Sequence, residues 1–230
     1  MNRKHSHQLE QVLTRIHEAC RQSGRDPESV RLLAVSKTHP ASAVSDLHEL
    51  GQRAFGESYV DEAVAKIAEL GTLDIEWHFI GPIQSNKTRA IAEHFDWVQG
   101  VDRAKVVRRL ADQRPGDRSP LNVLIQVNID DEPQKAGCRP DEIAALADMV
   151  AGYDTLRLRG LMAIPAPRED LEAQRVVFAR LRALFEKLRE SHPDADTLSA
   201  GMSADLEAAI AEGSTMVRIG TALFGARGAP

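Results

Sequence analysis

Eight short apolar runs separated by helical segments, at a repeat of about 25 residues, predict a (β/α)8 TIM-type barrel with an extra N-terminal helix. Two further observations support it. The runs alternate with helix patterns throughout, which calls for a parallel sheet with helical crossovers. The first run is followed by "SKTHPAS", which has none of the glycines that a dinucleotide-binding open sheet needs at that turn. An open doubly wound sheet is the alternative architecture.

The first helix is expected over about residues 8–22, where Leu9, Val12, Leu13, Ile16 and Ala19 recur at helical spacing. Strands are expected at Val30 to Ser36, then at "RAFGES", "WHFIG", "WVQGVD", "LNVLIQVNI", "LRLRGLMAIP", "TLSAG" and "TMVRIG". Between them, "ASAVSDLHELGQ" reads as a helix stopped by Gly51, and "YVDEAVAKIAEL" places Val60, Ala63, Val64, Ile67 and Leu70 on one face. Ser85 is the candidate cap of the helix in "SNKTRAIAEHF", and Asp102 opens the next. Pro140 suits the first turn of "RPDEIAALADMVAGY". The charged helix over 169–190 reads as a solvated outer face, and "SADLEAAIAEG" as a helix from Ser203 to Gly213. One binding domain over 1–230 is expected, with its N-terminal helix in 1–25 and its barrel in 30–225.

A hydrophobic fraction of 43% beside 27% charged residues is that of an ordinary globular chain. The net charge of −5 and a pI near 5.9 argue against nucleic acid or an anionic membrane as partner. Any anion must therefore be attracted by local groups. Cys20 and Cys138, far apart, suit free thiols in a reducing compartment, and Cys138 reads as a loop thiol. The N-terminus has no apolar core of a signal peptide, and no stretch is long and apolar enough to span a bilayer, so a cytoplasmic protein is expected.

Barrel function sits at the C-terminal ends of the strands, with phosphate often bound after strands seven and eight. Lys37 follows strand one in "LLAVSKTHP", and Glu57, Ser58 and Tyr59 follow strand two. Gly201 to Ser203 follow strand seven, and Arg218 to Thr221 close strand eight. Ser203 at a helix start, Gly220 where backbone can approach a ligand, and Thr221 with an amide and a hydroxyl together suit a phosphate. Read singly, Ser203 is equally an N-cap and Gly220 a barrel turn. A lysine beside such donors can condense with a phosphorylated aldehyde; without them, it simply reaches past the strand into water. His39 and His78 are placed near the mouth, but no pair shows metal-ligand spacing, so no metal is expected. Asn86 and Lys87 read as a cap region and a solvated charge.

"LLAVSKTHP", "FGESYVDEA", "WHFIGPIQSNKTRAI", "LMAIP" and "GMSADLEAAIAEGSTMVRIGTALFG", in this order from about residue 30 onwards, resemble the pyridoxal phosphate homeostasis proteins, the YggS/PROSC family. The resemblance implies a barrel like the N-terminal domain of alanine racemase. It also implies pyridoxal 5′-phosphate (PLP) held as an aldimine on Lys37, a phosphate held by Ser203, Gly220 and Thr221, and Arg218 facing the pyridine nitrogen. An arginine there cannot share its proton with the ring, which weakens the ring as an electron sink. The chain departs from the family pattern at Ser58, where asparagine is usual, and at Ala200, where methionine is usual. The first departure bears on a contact to the cofactor ring and the second on packing.

The resemblance implies a non-enzymatic PLP-binding protein of vitamin B6 homeostasis, with PLP-dependent apo-enzymes as recipients. The alternative is a racemase-like PLP enzyme, which needs proton donors on both faces of the substrate α-carbon. Besides Lys37, the tyrosines are Tyr59 and Tyr153; Tyr153 belongs at the wrong end of the barrel. A barrel enzyme acting on a phosphorylated sugar would use the same phosphate site without the lysine.

Overall fold

Runs rich in Val, Ile and Leu, buried on both faces, form eight parallel strands that close on themselves. The structure is a computed structural model and describes residues 3–225. In chain order the strands are β1 (Arg31–Val35), β2 (Ala54–Glu57), β3 (Glu76–Phe79), β4 (Trp97–Val101), β5 (Leu121–Gln126), β6 (Leu156–Met162), β7 (Thr197–Ser199) and β8 (Met216–Ile219). β8 closes onto β1, with Arg31 opposite Met216 and Ala34 opposite Ile219.

Helix α1 (Arg3–Gln22) precedes the barrel. Its crossovers are α2 (Ala41–Glu49), α3 (Val60–Glu69), α4 (Thr88–His94), α5 (Ala104–Gln113), α6 (Ile143–Ala151), α7 (Leu171–Ser191) and α8 (Leu206–Ala211). The short α9 (Thr221–Phe224) follows β8. The barrel predicted from the alternation is thus the one observed, with the expected extra helix in front.

Strand parity separates two interiors. Trp77, Phe79, Val98, Val217 and Ile219 point outward into the large core between sheet and helices. Leu33, Ala54 and Met216 pack together inside the barrel, as do Trp97, Leu124 and Met162. Helix α1 buries Leu9, Val12, Ile16 and Ala19 against the seam formed by α8 and α9. Burial of each large aliphatic side chain there contributes roughly 1.5–3 kcal/mol. Arg25, just after α1, donates to the carbonyls of Ile210 at 2.7 Å and Ser214 at 2.8 Å, fixing that end of the helix to α8 and the turn that follows it.

Several local expectations are corrected. α1 begins at Arg3 rather than near residue 8, because buried His5 continues its apolar stripe. Ser85 does not cap α4; the helix starts at Thr88, whose hydroxyl donates back to Ser85 O at 2.9 Å. α8 starts at Leu206 rather than at Ser203, because the chain turns through 203–205 first. Helix α7 is solvated on one side only and buries Val177, Phe178, Leu181, Phe185 and Leu188. Cys138 does lie in the loop after β5, but it is buried there by a backbone bridge to Val127, and its thiol is pushed up to about 12 by burial and nearby carboxylates. Cys20 is also buried, with its thiol raised chiefly by burial. Among the described residues, no helix is long and apolar enough to cross a membrane.

Candidate functional site

Strand β1 ends at Val35, and the chain turns at once: His39 N donates to Ser36 O at 3.1 Å. Lys37 and Thr38 occupy the centre of this turn, and Thr38 has a left-handed φ of 66°. Lys37 is half-buried and lines a cleft of about 500 Å³ together with Ser58, Tyr59, Ile80, Gly81 and Ile164. The cleft wall needs a glycine at 81, since a Cβ there would lie 2.4 Å from Ser58 O. Ser58 is half-buried in this wall and Tyr59 is 54% exposed at its rim.

The end of β8 lies beside the end of β1. At Gly220 a Cβ would come within 3.3 Å of Val35 O, so the two strand ends approach through the glycine. Helix α9 begins immediately after it. Among the described residues, the amides of Thr221 and Ala222 meet no backbone acceptor, and Thr221 is exposed. Those donors are the ones an anion takes up. Ser203 sits half-buried in the loop after β7, and Arg15 of α1 donates to its carbonyl at 3.0 Å. Arg15 also donates to Glu207 at 2.9 and 3.0 Å, so α1 pins this loop from outside the barrel.

Arg218 points into the barrel and is 4% exposed. Its Nη1 donates to Ser199 Oγ at 2.8 Å and its Nη2 to Ala163 O at 2.8 Å. Ser199 Oγ donates onward to Gln99 Oε1 at 2.7 Å, and Gln99 Nε2 lies 3.0 Å from His78 Nδ1. His78 Nε2 lies 2.7 Å from Glu76 Oε1. Gln99 donates here, so His78 accepts at Nδ1 and carries its proton at Nε2, facing the carboxylate. Burial lowers the His78 pKa, against the pull of Glu76, which keeps the ring neutral. Burial also lowers Arg218, to about 10, with Asp205 opposing; it stays protonated at neutral pH.

The structure therefore brings Lys37 and Ser58 to one cleft, and Gly220 and Thr221 to the adjoining strand end. Arg218 lies beneath, in the barrel interior. His78, expected near the mouth, is fully buried in the barrel, stacked on Trp97 with ring centroids 5.0 Å apart. Lys87, expected to be solvated, pairs with Asp61 at 2.7 and 2.8 Å and lines the cleft. Sequence reasoning missed Gln99 and Ser199, although polar residues at inward parity in "WVQGV" and "TLS" were the signal. It also missed Lys66, Glu62 and Arg15, whose roles arise from long-range convergence.

The sequence matches the alanine racemase N-terminal domain family over residues 8–228. It is 58% identical to the pyridoxal phosphate homeostasis protein of Pseudomonas aeruginosa over 96% of both chains. The chain belongs to the pyridoxal phosphate homeostasis protein family. The Escherichia coli member is 55% identical, again over 96% of both chains. PipY of Synechococcus elongatus superposes with a TM-score of 0.80 and covers 91% of this chain and 100% of its own. It has been solved without PLP, at 40% identity to this chain, and with PLP bound, at 38%. Alanine racemase of Corynebacterium glutamicum shares the fold, at a TM-score of 0.69 and 16% identity; the match covers 94% of this chain and 60% of that one.

Proposed function

We propose that this chain is a cytoplasmic, single-domain PLP-binding protein that holds the cofactor on Lys37 and hands it to PLP-dependent apo-enzymes. It has no catalytic cycle of its own. The carrying observation is a lysine lining a cleft at the end of β1, beside a strand end whose Thr221 and Ala222 amides meet no backbone acceptor among the described residues. These residues fit the cofactor: an amine for an aldehyde, backbone donors for a phosphate, and a glycine at 220 that lets the end of β8 lie close against the end of β1. PipY, with PLP bound, supports the reading through its close similarity in sequence and fold.

When bound, PLP supplies an aldehyde that condenses reversibly with a primary amine. Lys37 Nζ is the amine. Gly220, Thr221 and Ser203 would hold the phosphate, Ser58 would contribute to the wall beside the ring, and Arg218 would be the partner of the ring nitrogen. Arg218 keeps its proton and offers only N–H donors, so the ring nitrogen gains no proton from it. That limits carbanion chemistry and favours storage over turnover. A racemase-like reaction would need a second base across the cleft; Tyr59, at the rim and 54% exposed, lacks the enclosure that proton transfer requires.

The test is to incubate the protein with PLP, record its visible absorbance, reduce with borohydride and map the pyridoxyl group. Label on Lys37, lost in Lys37→Ala, is expected. Colourless, unlabelled protein refutes the binding reading. Racemisation or transamination of amino acids well above that of free PLP refutes the non-enzymatic one.

A further inference from the structure

One buried cluster from β2 and α3 grips the chain on both sides of Lys37. Lys66, 6% exposed, donates to Ser36 O at 2.9 Å, to Glu57 Oε1 at 2.8 Å and to Glu62 Oε1 at 2.6 Å. Glu57 Oε1 also accepts from Ser36 Oγ at 2.7 Å. Glu62 Oε1 accepts from the Thr38 amide at 2.6 Å. The cluster thus holds residues 36 and 38.

The conformation it holds is one that Thr38 resists. A φ of 66° is left-handed, and it falls at the third position of a turn, where glycine is usual and a β-branched residue is an outlier. Without a partner for its amide, Thr38 would fall back toward extended backbone, and Lys37 would turn with it. Taking the Glu57 carboxylate and the Lys66 ammonium out of water, with Glu62 half-buried beside them, is costly, and nothing in an ordinary connecting turn requires it. Strain of this kind persists where the surroundings over-determine it, as at sites of chemistry.

We infer that Glu62 and Lys66 are positioning residues for Lys37, holding the Ser36–His39 turn in its left-handed form so that Nζ is presented to the cleft. The inference rests on Lys37 being the attachment residue. In attachment the neutral amine adds through its lone pair to the aldehyde carbon, and the aldehyde oxygen leaves as water with both amine hydrogens. Nζ must meet the carbon at one angle, so a loosened turn slows the step. Glu62 and Lys66 touch neither reactant; they act through the backbone at 36 and 38.

Two readouts test this. In cofactor-free protein, competitive acylation by an amine-specific reagent is measured at Lys37 against the exposed Lys105 and Lys187, by peptide mass spectrometry. In protein given PLP, the rate of borohydride-trapped label on Lys37 is followed. Glu62→Ala should change the relative reactivity of Lys37 and slow trapping about tenfold. Glu62→Gln should restore most of the rate, because its amide oxygen still accepts from Thr38. Adding Thr38→Gly to Glu62→Ala should also restore it, because glycine adopts a left-handed φ unaided. A lower melting temperature with unchanged Lys37 rates in Glu62→Ala overturns the inference. Should Glu62→Ala not fold, Thr38→Gly is compared with Thr38→Gly/Glu62→Ala: equal rates support the inference and a tenfold drop overturns it. If wild-type protein gains no label on Lys37, the attachment reading fails, and the acylation contrast still decides the positioning.

Discussion

Arg218 Nη1 donates to Ser199 Oγ at 2.8 Å in the closed interior of the barrel. Because that hydroxyl gives its own proton to Gln99 Oε1, it can only accept from the guanidinium. Each group in the chain from Glu76 to Arg218 thus has its donor and acceptor roles assigned by the next. Ser199→Ala leaves Gln99 Oε1 and one Arg218 N–H without this partner, and should cost about 1–3 kcal/mol in urea unfolding. Gln99→Leu should cost a similar amount, and the double variant less than the sum, since both break one network. Strict additivity would show that the network is not coupled.

Gly220 is expected to be intolerant because it lets the ends of β1 and β8 approach beside the proposed phosphate site. Its Cβ would press on Val35 O at the rim, beside the α9 amides that meet no backbone acceptor among the described residues. Gly220→Val should weaken PLP binding about tenfold, equivalent to about 1.4 kcal/mol. Equilibrium dialysis reads the affinity, and circular dichroism should show an unchanged barrel. Undiminished affinity would move the phosphate elsewhere.

Arg15 ties α1 to the loop carrying Ser203. Its pairing with Glu207 is partly exposed and contributes little, whereas its bond to the Ser203 carbonyl orients the loop. Arg15→Ala should lower stability by about 1 kcal/mol. It should also raise the Kd for PLP a few-fold, whereas Arg15→Lys should recover only part, lacking the planar fork. Titration calorimetry distinguishes the two.

Asp130 joins the loops after β5 and β6, accepting from the Ala166 amide at 2.6 Å and from Arg168. Burial opposes its ionisation, but Arg168, the amide and Lys135 outweigh it and hold the carboxyl below the usual aspartate range. A depressed carboxyl contributes stability above its unfolded pKa near 3.9, and this is lost as pH falls through the lower folded value. Asp130→Asn should therefore reduce stability at neutral pH and flatten the loss on acidification, as read by melting temperature from pH 7 down to about pH 3. An acid limb as steep as that of wild type would place the linkage on other carboxyls.

Much of this was legible in the chain itself. Strand count and order follow from apolar runs of a length that only strands use, and Lys37 stands out because a charge ends such a run. Gly220 and Thr221 stand out because barrels bind anions where β8 ends. Ser203 was misplaced as a helix start because local pattern cannot tell a cap from the turns before it. His78 was placed at the mouth because parity gives the side of a strand but not the depth of a residue in a closed, tilted barrel.

The sequence by itself determined the barrel and the order of its strands, and it singled out Lys37 at a strand end, because periodicity and strand ends are local properties of the chain. Only the tertiary structure decided that Lys66, Glu57 and Glu62 converge on the turn at Lys37, and that Arg15, 188 residues from Ser203, steadies its loop. Such contacts depend on how β2, α3 and α1 pack in space, and their energies come from burial and aligned donors that no stretch of sequence carries alone.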